Sequence, residues 1–69
     1  MKFSADVLAD GSIISYEKEM NPQDSGGRVS DLLCKFFSCL RKDMEDTFQK
    51  EDYTVISVCD ENGTEIYRR

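Results

Sequence analysis

The chain has no histidine, no tryptophan and a single proline, and its nine Lys and Arg residues are outnumbered by fourteen Asp and Glu. Histidine is the commonest general base, and a zinc site without it needs clustered cysteine thiolates. Its absence therefore argues against ordinary acid–base catalysis and against a zinc centre. The net charge of −5 argues against direct nucleic-acid binding, which needs clustered Lys and Arg to neutralise phosphates.

Long apolar runs are also missing. No stretch approaches the ~20 residues that a membrane-spanning helix needs. Residues 1–6 contain a lysine and then an aspartate, with no room for the apolar region of a secretory signal peptide. We therefore expect no membrane contact and a cytoplasmic location. The three cysteines, Cys34, Cys39 and Cys59, are then expected to be reduced thiols.

No motif for catalysis or for ligand binding is found in the 69 residues. The glycines at 26 and 27 lack the spacing and the lysine of a phosphate-binding loop. Cys34 and Cys39 diverge by about 140° if both lie on one helix, so they do not form a metal site. A chain this short also leaves little room for a ligand pocket. We expect no catalytic residue, no cofactor and no metal, and hence no enzyme.

Residues 2–19 are predicted to form a β-hairpin. Phe3, Ala5 and Val7 alternate with polar residues, which is the period of a half-buried strand. The dipeptide Asp10-Gly11 favours a two-residue type I′ turn. Such a turn pairs Val7 with Ile14 and Ala5 with residue 16, and it collects the apolar side chains on one face.

The remainder is predicted as a loop over 20–28, a helix over 29–50 and a second hairpin over 53–69 with Asn62-Gly63 at its turn. Apolar residues at spacings of three and four form the stripe of an amphipathic helix: Val29, Leu32, Leu33, Phe36, Phe37, Leu40, Met44 and Phe48. We therefore predict one small α+β domain over residues 1–69, of order ββαββ. Its four-stranded, mostly antiparallel sheet has the helix packed on one face.

Acidic residues crowd the end of the predicted helix, where the helix dipole disfavours them. If strands and helix alternate in direction, this helix exit lies at the same end of the molecule as Asp10. Six carboxylates would then form a partner-binding patch there: Asp10, Asp43, Glu45, Asp46, Glu51 and Asp52. The alternative interpretation is an ordinary solvated face, which is what most charge runs are.

One helix covers one face of a sheet, so the opposite, open face is expected to retain some apolar surface. Alternation along the strands puts apolar side chains on this face, with Tyr67 shared between the two faces. The candidate interface residues are Leu8, Ile13, Ile56, Val58 and Tyr67. Such a face favours a homodimer or a partner-binding sheet. The alternatives are that a loop covers these side chains, that they are exposed singly, or that an edge strand adds to a partner's sheet.

The segments Thr54-Val55-Ile56-Ser57-Val58, Glu61-Asn62-Gly63-Thr64 and Ile66-Tyr67-Arg68 are similar to the closing hairpin of a small inhibitor of a type I CRISPR surveillance complex. The chain resembles the anti-CRISPR and related anti-defence proteins of bacterial viruses in its size, acidity, mixed architecture and lack of catalytic residues. This resemblance implies action by protein–protein contact, either by occupying a basic nucleic-acid groove or by blocking assembly. It assigns no functional residue.

We therefore expect a small acidic inhibitor, made by a phage or a bacterium, that acts in the cytoplasm of the host cell. Its partner is expected to be a protein with a basic surface, such as a CRISPR effector or another nucleic-acid-handling complex. The alternative is a homodimeric regulatory or antitoxin-like subunit that associates through its uncovered sheet face.

Overall fold

The computed structural model describes residues 1–21, 23, 26 and 28–69. The strands are β1 (Lys2–Ala9), β2 (Ser12–Glu19), β3 (Tyr53–Cys59) and β4 (Glu65–Arg68), and the helix is α1 (Val29–Asp46). The sheet has the order β2-β1-β3-β4, and every neighbouring pair is antiparallel. The predicted α+β fold with a ββαββ order is confirmed.

The β1–β2 hairpin forms around the predicted turn. Asp10 and Gly11 have φ angles of 53° and 78°, the left-handed values that both central residues of a type I′ turn require. The register pairs Val7 with Ile14 and Ala5 with Tyr16, as predicted. Beyond the strands, the Met20 amide donates a 2.7 Å hydrogen bond to the Met1 carbonyl, so the pairing continues to the N-terminus.

The helix ends at Asp46, four residues before the predicted end. The amides of Thr47 and Phe48 both donate to the Asp43 carbonyl, and Gln49 turns the chain with a φ of 56°. The last carbonyl groups of the helix are thus partly satisfied by a tight exit rather than by another turn. Because the helix stops early, Phe48 leaves the apolar stripe and stays 38% exposed.

The core lies between α1 and one face of the sheet, with Phe36 at its centre. The Phe36 ring is fully buried and lies 5.4 Å from the Phe3 ring and 5.5 Å from the Tyr16 ring, centroid to centroid. Four turns of the helix contribute buried side chains, which is the pattern of an amphipathic helix on a sheet. The other buried apolar side chains of this core are Ala5, Val7, Ala9, Met20, Leu32, Leu40, Met44 and Val58.

The prediction that Val58 lies on the open face is wrong, because β3 contains an irregularity. Ala5 pairs with Val58 but Val7 pairs with Val55, so Ile56 is an additional residue on β3. The shift puts Val55 and Val58 on the same, helix-facing side, and Val58 is 0% exposed. Tyr67 pairs with Val58, and its ring lies 5.1 Å from that of Phe37 on α1.

The β3–β4 hairpin is confirmed, but its turn is longer than the predicted Asn62-Gly63 pair. The Asp60 amide donates to the Thr64 carbonyl at 2.9 Å, which leaves three residues in the loop. The Asp60 carboxylate accepts the amides of Asn62 and Thr64, each at 2.9 Å. Only Gly63 takes a left-handed φ, of 81°, so the aspartate side chain fixes the rest of the turn.

Candidate functional site

Three segments meet at one end of the molecule. β1 ends at the Asp10-Gly11 turn, and β3 begins beside it, because Ala9 pairs with Tyr53. The same register places Asp52, one step before Tyr53, next to Asp10. An ion pair between the Lys50 ammonium and the Asp10 carboxylate fastens the helix exit to the turn. We call this region, residues 8–13 and 43–54, the turn end.

Two of the six predicted carboxylates are held by partners within the chain. Asp10 accepts from Lys50, and Asp43 accepts a hydrogen bond from the Tyr16 hydroxyl. Asp43 is also half-buried, so it is less accessible to a partner than its neighbours are. These two acids fasten the helix to the sheet, and their role in binding another protein is correspondingly reduced.

The Tyr16 ring is 6% exposed and lies between the sheet and α1. Burial, followed by the hydrogen bond to Asp43 and by the charge of that carboxylate, raises the pKa of Tyr16 well above its ordinary value of 10. Tyr16 therefore remains a hydrogen-bond donor throughout the physiological pH range. The hydrogen bond between Tyr16 and Asp43 therefore joins β2 to α1.

The other four carboxylates are exposed. Glu45 lies 3.6 Å from the Arg41 guanidinium, and both side chains are mostly in solvent, so this ion pair contributes little. Glu45 and Glu51, together with Gln49, line one shallow cleft at the helix exit. Asp46, Glu51 and Asp52 make no ion pair with the described residues. Four of the six acids are therefore exposed and make no contact that joins the helix exit to the sheet, whereas Asp10 is exposed but paired with Lys50 and Asp43 is half-buried.

Neither of the C-terminal arginines, Arg68 and Arg69, makes an ion pair with a carboxylate of the turn end in the part of the chain that the structure describes. The Arg68 guanidinium instead pairs with Glu65 at 2.7 Å, on its own strand. The Arg69 amide donates to the Ile56 carbonyl at 3.0 Å, which fixes the end of the chain against β3. Within the described residues, Lys50 is therefore the cation outside the helix that contacts one of the six predicted carboxylates, Asp10.

Exposed apolar side chains also gather at the turn end. Ile13 is 57% exposed and Leu8 39%, and they pair directly across β1 and β2. Phe48 lies at the helix exit on the same end. The remaining large exposed apolar residue, Val29, begins the helix at the opposite end. Phe48 was not predicted as a site residue, because its spacing matched the buried stripe and nothing in the sequence marked the early end of α1.

The open face of the sheet is less apolar than expected. Of the five residues predicted for it, Leu8 and Ile13 are exposed there, and Ile56 is half-buried at the irregularity. Toward the other end the face becomes polar, with an ion pair of 3.0 Å between Lys2 and Glu17. The apolar part of the open face is therefore the Leu8–Ile13 pair beside the turn.

Cys34, Cys39 and Cys59 are free thiols, of which Cys34 is exposed and the other two are half-buried. Among the residues that the structure describes, no cluster of three or more potential ligands could hold a metal ion. α1 is also too polar to span a membrane, and no other helix in the described ranges could do so.

Comparison with protein-family models, with curated proteins and with solved structures gives no match to this chain. The function must therefore be inferred from the geometry and chemistry of the turn end.

Proposed function

We propose that the protein is a small inhibitor that docks its turn end on a basic surface of a nucleic-acid-binding protein or complex. A single observation carries this proposal: four exposed carboxylates and three of the four large exposed apolar side chains of the described residues lie at the same end. Apolar anchors surrounded by charge are the ordinary composition of a protein-binding surface.

The two kinds of side chain have different roles in such a contact. Carboxylates attract a basic partner over a distance and form charge-assisted hydrogen bonds with Arg and Lys once docked. Surface carboxylates alone bind weakly, because water and salt screen them. Burial of Leu8, Ile13 and Phe48 by a partner would exclude water and supply the apolar contribution to affinity.

The proposed partner is basic because the exposed acids Glu45, Asp46, Glu51 and Asp52 need cations opposite them. Surfaces rich in Lys and Arg are typical of proteins that bind nucleic-acid backbones. A bound anionic surface would compete with phosphates for those cations. This mode of action agrees with the resemblance to anti-CRISPR proteins, and it places the protein in the cytoplasm of the cell that contains the target.

A homodimer through the open face has less support. Val58 and Tyr67 face the helix, which leaves Leu8 and Ile13 as the exposed apolar side chains there. Stable interfaces usually bury about 800 Å² on each partner. Two side chains provide only a small fraction of that area.

The test is capture of the partner with a matched pair of variants. Tagged wild-type protein is incubated with bacterial lysate at low and at high salt, and bound proteins are identified by mass spectrometry. Glu45→Lys with Glu51→Lys changes two acids that line one cleft. Asp31→Lys with Glu61→Lys makes the same change in net charge, from −5 to −1, at the start of the helix and in the β3–β4 loop.

We expect one nucleic-acid-binding protein or complex that is bound at low salt and released at high salt. The Glu45/Glu51 variant should lose it, and the Asp31/Glu61 variant should retain it. The purified partner should then bind its nucleic acid less tightly when the wild-type protein is present. If both variants bind alike, or if the partner binds nucleic acid and this protein at once with no loss, the proposal is wrong.

A further inference from the structure

β2 forms one edge of the sheet along its whole length. Its eight residues pair with β1 in an unbroken register and contain neither a proline nor a bulge, and its charged side chains are confined to Glu17, Lys18 and Glu19 at the end away from the turn. β4, at the other edge, has four residues and an irregular register. A long, regular edge presents a row of unpaired backbone groups on which a further strand can pair. Proteins usually block such edges for this reason.

The register shows which backbone groups on β2 are free. A two-residue turn makes Ala9 and Ser12 a hydrogen-bonded pair, and the Met20 amide bonds the Met1 carbonyl at the other end. Even-numbered residues of β2 therefore direct their N–H and C=O groups toward β1. The odd-numbered residues direct theirs away from the sheet, and all of them are exposed: Ile13, Ser15, Glu17 and Glu19.

We propose that this edge pairs antiparallel with β2 of a second copy of the chain, with the two-fold axis at Ser15. The pairing sets Ser15 opposite Ser15 of the other copy and Ile13 opposite Glu17. By the two-fold symmetry, Glu17 also lies opposite Ile13 of the other copy, which makes three pairs. Each pair exchanges two backbone hydrogen bonds, six in total. Two four-stranded sheets would thus become one continuous sheet, with both helices on the same side.

The side chains of β2 favour this register over those shifted toward Glu17. It places Ile14, which is half-buried, opposite Tyr16 of the other copy, so the apolar helix-facing side continues across the junction. Moving the two-fold axis from Ser15 to Tyr16 puts the two Glu17 side chains on a diagonal across the junction. Moving it to Glu17 puts them directly opposite each other. Like charges that face each other across strands are destabilising.

Electrostatics also permits the association in spite of the net charge. An antiparallel pairing places the turn end of one copy beside Lys18, Glu17 and Glu19 of the other, and beside the N-terminal ammonium that pairs with Glu19, so acids and bases there largely offset each other. The two Asp10 residues are ten positions apart in this register, which is roughly 30 Å along the strands. The Debye length in physiological salt is about 8 Å, so the two anionic patches are screened from each other.

The experiment is sedimentation velocity of the purified protein from micromolar to millimolar concentration. Wild type and Ser15→Ala should show the same concentration-dependent dimer, because alanine keeps the backbone donor. Ser15→Pro removes the outward amide from both copies, and Ser15→Lys sets two ammonium groups opposite each other. Both should weaken dimerisation about tenfold or more. The Ser15 amide does not bond β1, so both variants should keep the fold, as checked by circular dichroism.

Hydrogen exchange gives a second measurement that needs no substitution. The amides of Ile13, Ser15 and Glu17 should exchange more slowly in concentrated than in dilute protein. A wild-type chain that stays monomeric at millimolar concentration would overturn the inference. A dimer that Ser15→Pro and Ser15→Lys leave unchanged would also overturn it, because the copies would then meet through another surface. Dimerisation through β2 should depend only weakly on salt, whereas docking of the turn end on a partner should depend on it strongly. Failure of one proposal can therefore be distinguished from failure of the other.

Discussion

Replacing Tyr16 by phenylalanine removes the hydroxyl that joins β2 to α1 and leaves the buried ring in place. The hydroxyl donates to the Asp43 carboxylate, which is half-buried. A hydrogen bond to a charged group contributes about 1.5–3 kcal/mol, and part of the loss is recovered as water reaches Asp43. We therefore expect a decrease of about 1–2 kcal/mol in the free energy of unfolding. In a domain of this size that corresponds to a decrease in Tm of roughly 10 °C.

The matched control is Tyr67→Phe, which removes a hydroxyl that makes no hydrogen bond to the described residues. It should change the free energy of unfolding by less than about 0.5 kcal/mol. Urea denaturation of Tyr16→Phe, Asp43→Asn and the double variant then isolates the coupling between the two side chains. A Tyr16→Phe stability within error of Tyr67→Phe, or a coupling close to zero, would refute the reasoning.

The hydrogen bond between Tyr16 and Asp43 also predicts how the free energy of unfolding depends on pH. Burial and the Asp43 contact raise the pKa of Tyr16 in the folded chain above 10, the ordinary value expected in the unfolded chain. The folded state therefore retains this proton longer than the unfolded state does. The contribution of the protonated Tyr16 hydroxyl to stability is therefore complete below pH 10 and declines as the pH rises further. The stability difference between wild type and Tyr16→Phe should narrow above pH 10 and stay constant between pH 6 and 9.

Two further predictions concern the sheet. Val58→Asn should lower the free energy of unfolding by about 3 kcal/mol or more, enough to unfold a small domain, because it buries an unpaired amide in a fully enclosed position. Ile13→Asn changes an exposed side chain, so its free energy of unfolding should stay within about 0.5 kcal/mol of wild type in thermal unfolding. Equal effects of the two substitutions would contradict the assigned faces. Gly11→Ala should cost about 1 kcal/mol through backbone strain alone, since its φ is 78° and a Cβ there would meet no atom within 4 Å; an unchanged Tm would show that the turn can take another form.

The regular parts of the fold follow directly from sequence patterns. Alternation from Phe3 to Val7 and the Asp10-Gly11 turn determine the β1–β2 register, because a shift by one residue would expose the whole apolar set. The spacing of Leu32, Phe36 and Leu40 likewise identifies the buried face of α1. Periodicity and turn chemistry are local properties, so they are readable without knowledge of the partner element.

The irregular parts could not be predicted in this way. The additional residue at Ile56 depends on how β3 fits against β1, and it reverses the face expected for Val58. The end of α1 depends on Gln49 adopting a left-handed φ, for which its residue type gives no signal. The anionic end was expected from topology, but the Tyr16–Asp43 contact, which withdraws one acid from it, is a tertiary pairing between distant residues.

The most direct test of the turn end is the salt dependence of binding to the purified partner, measured by isothermal titration calorimetry. For wild type, the affinity should fall steeply as the salt concentration rises, because solvent-exposed charge pairs are screened. Glu45→Lys with Glu51→Lys should bind more weakly and with a shallower salt dependence, while Asp31→Lys with Glu61→Lys should follow wild type. Equal affinities and equal salt dependences for the two variants would contradict the assignment of the turn end as the docking surface.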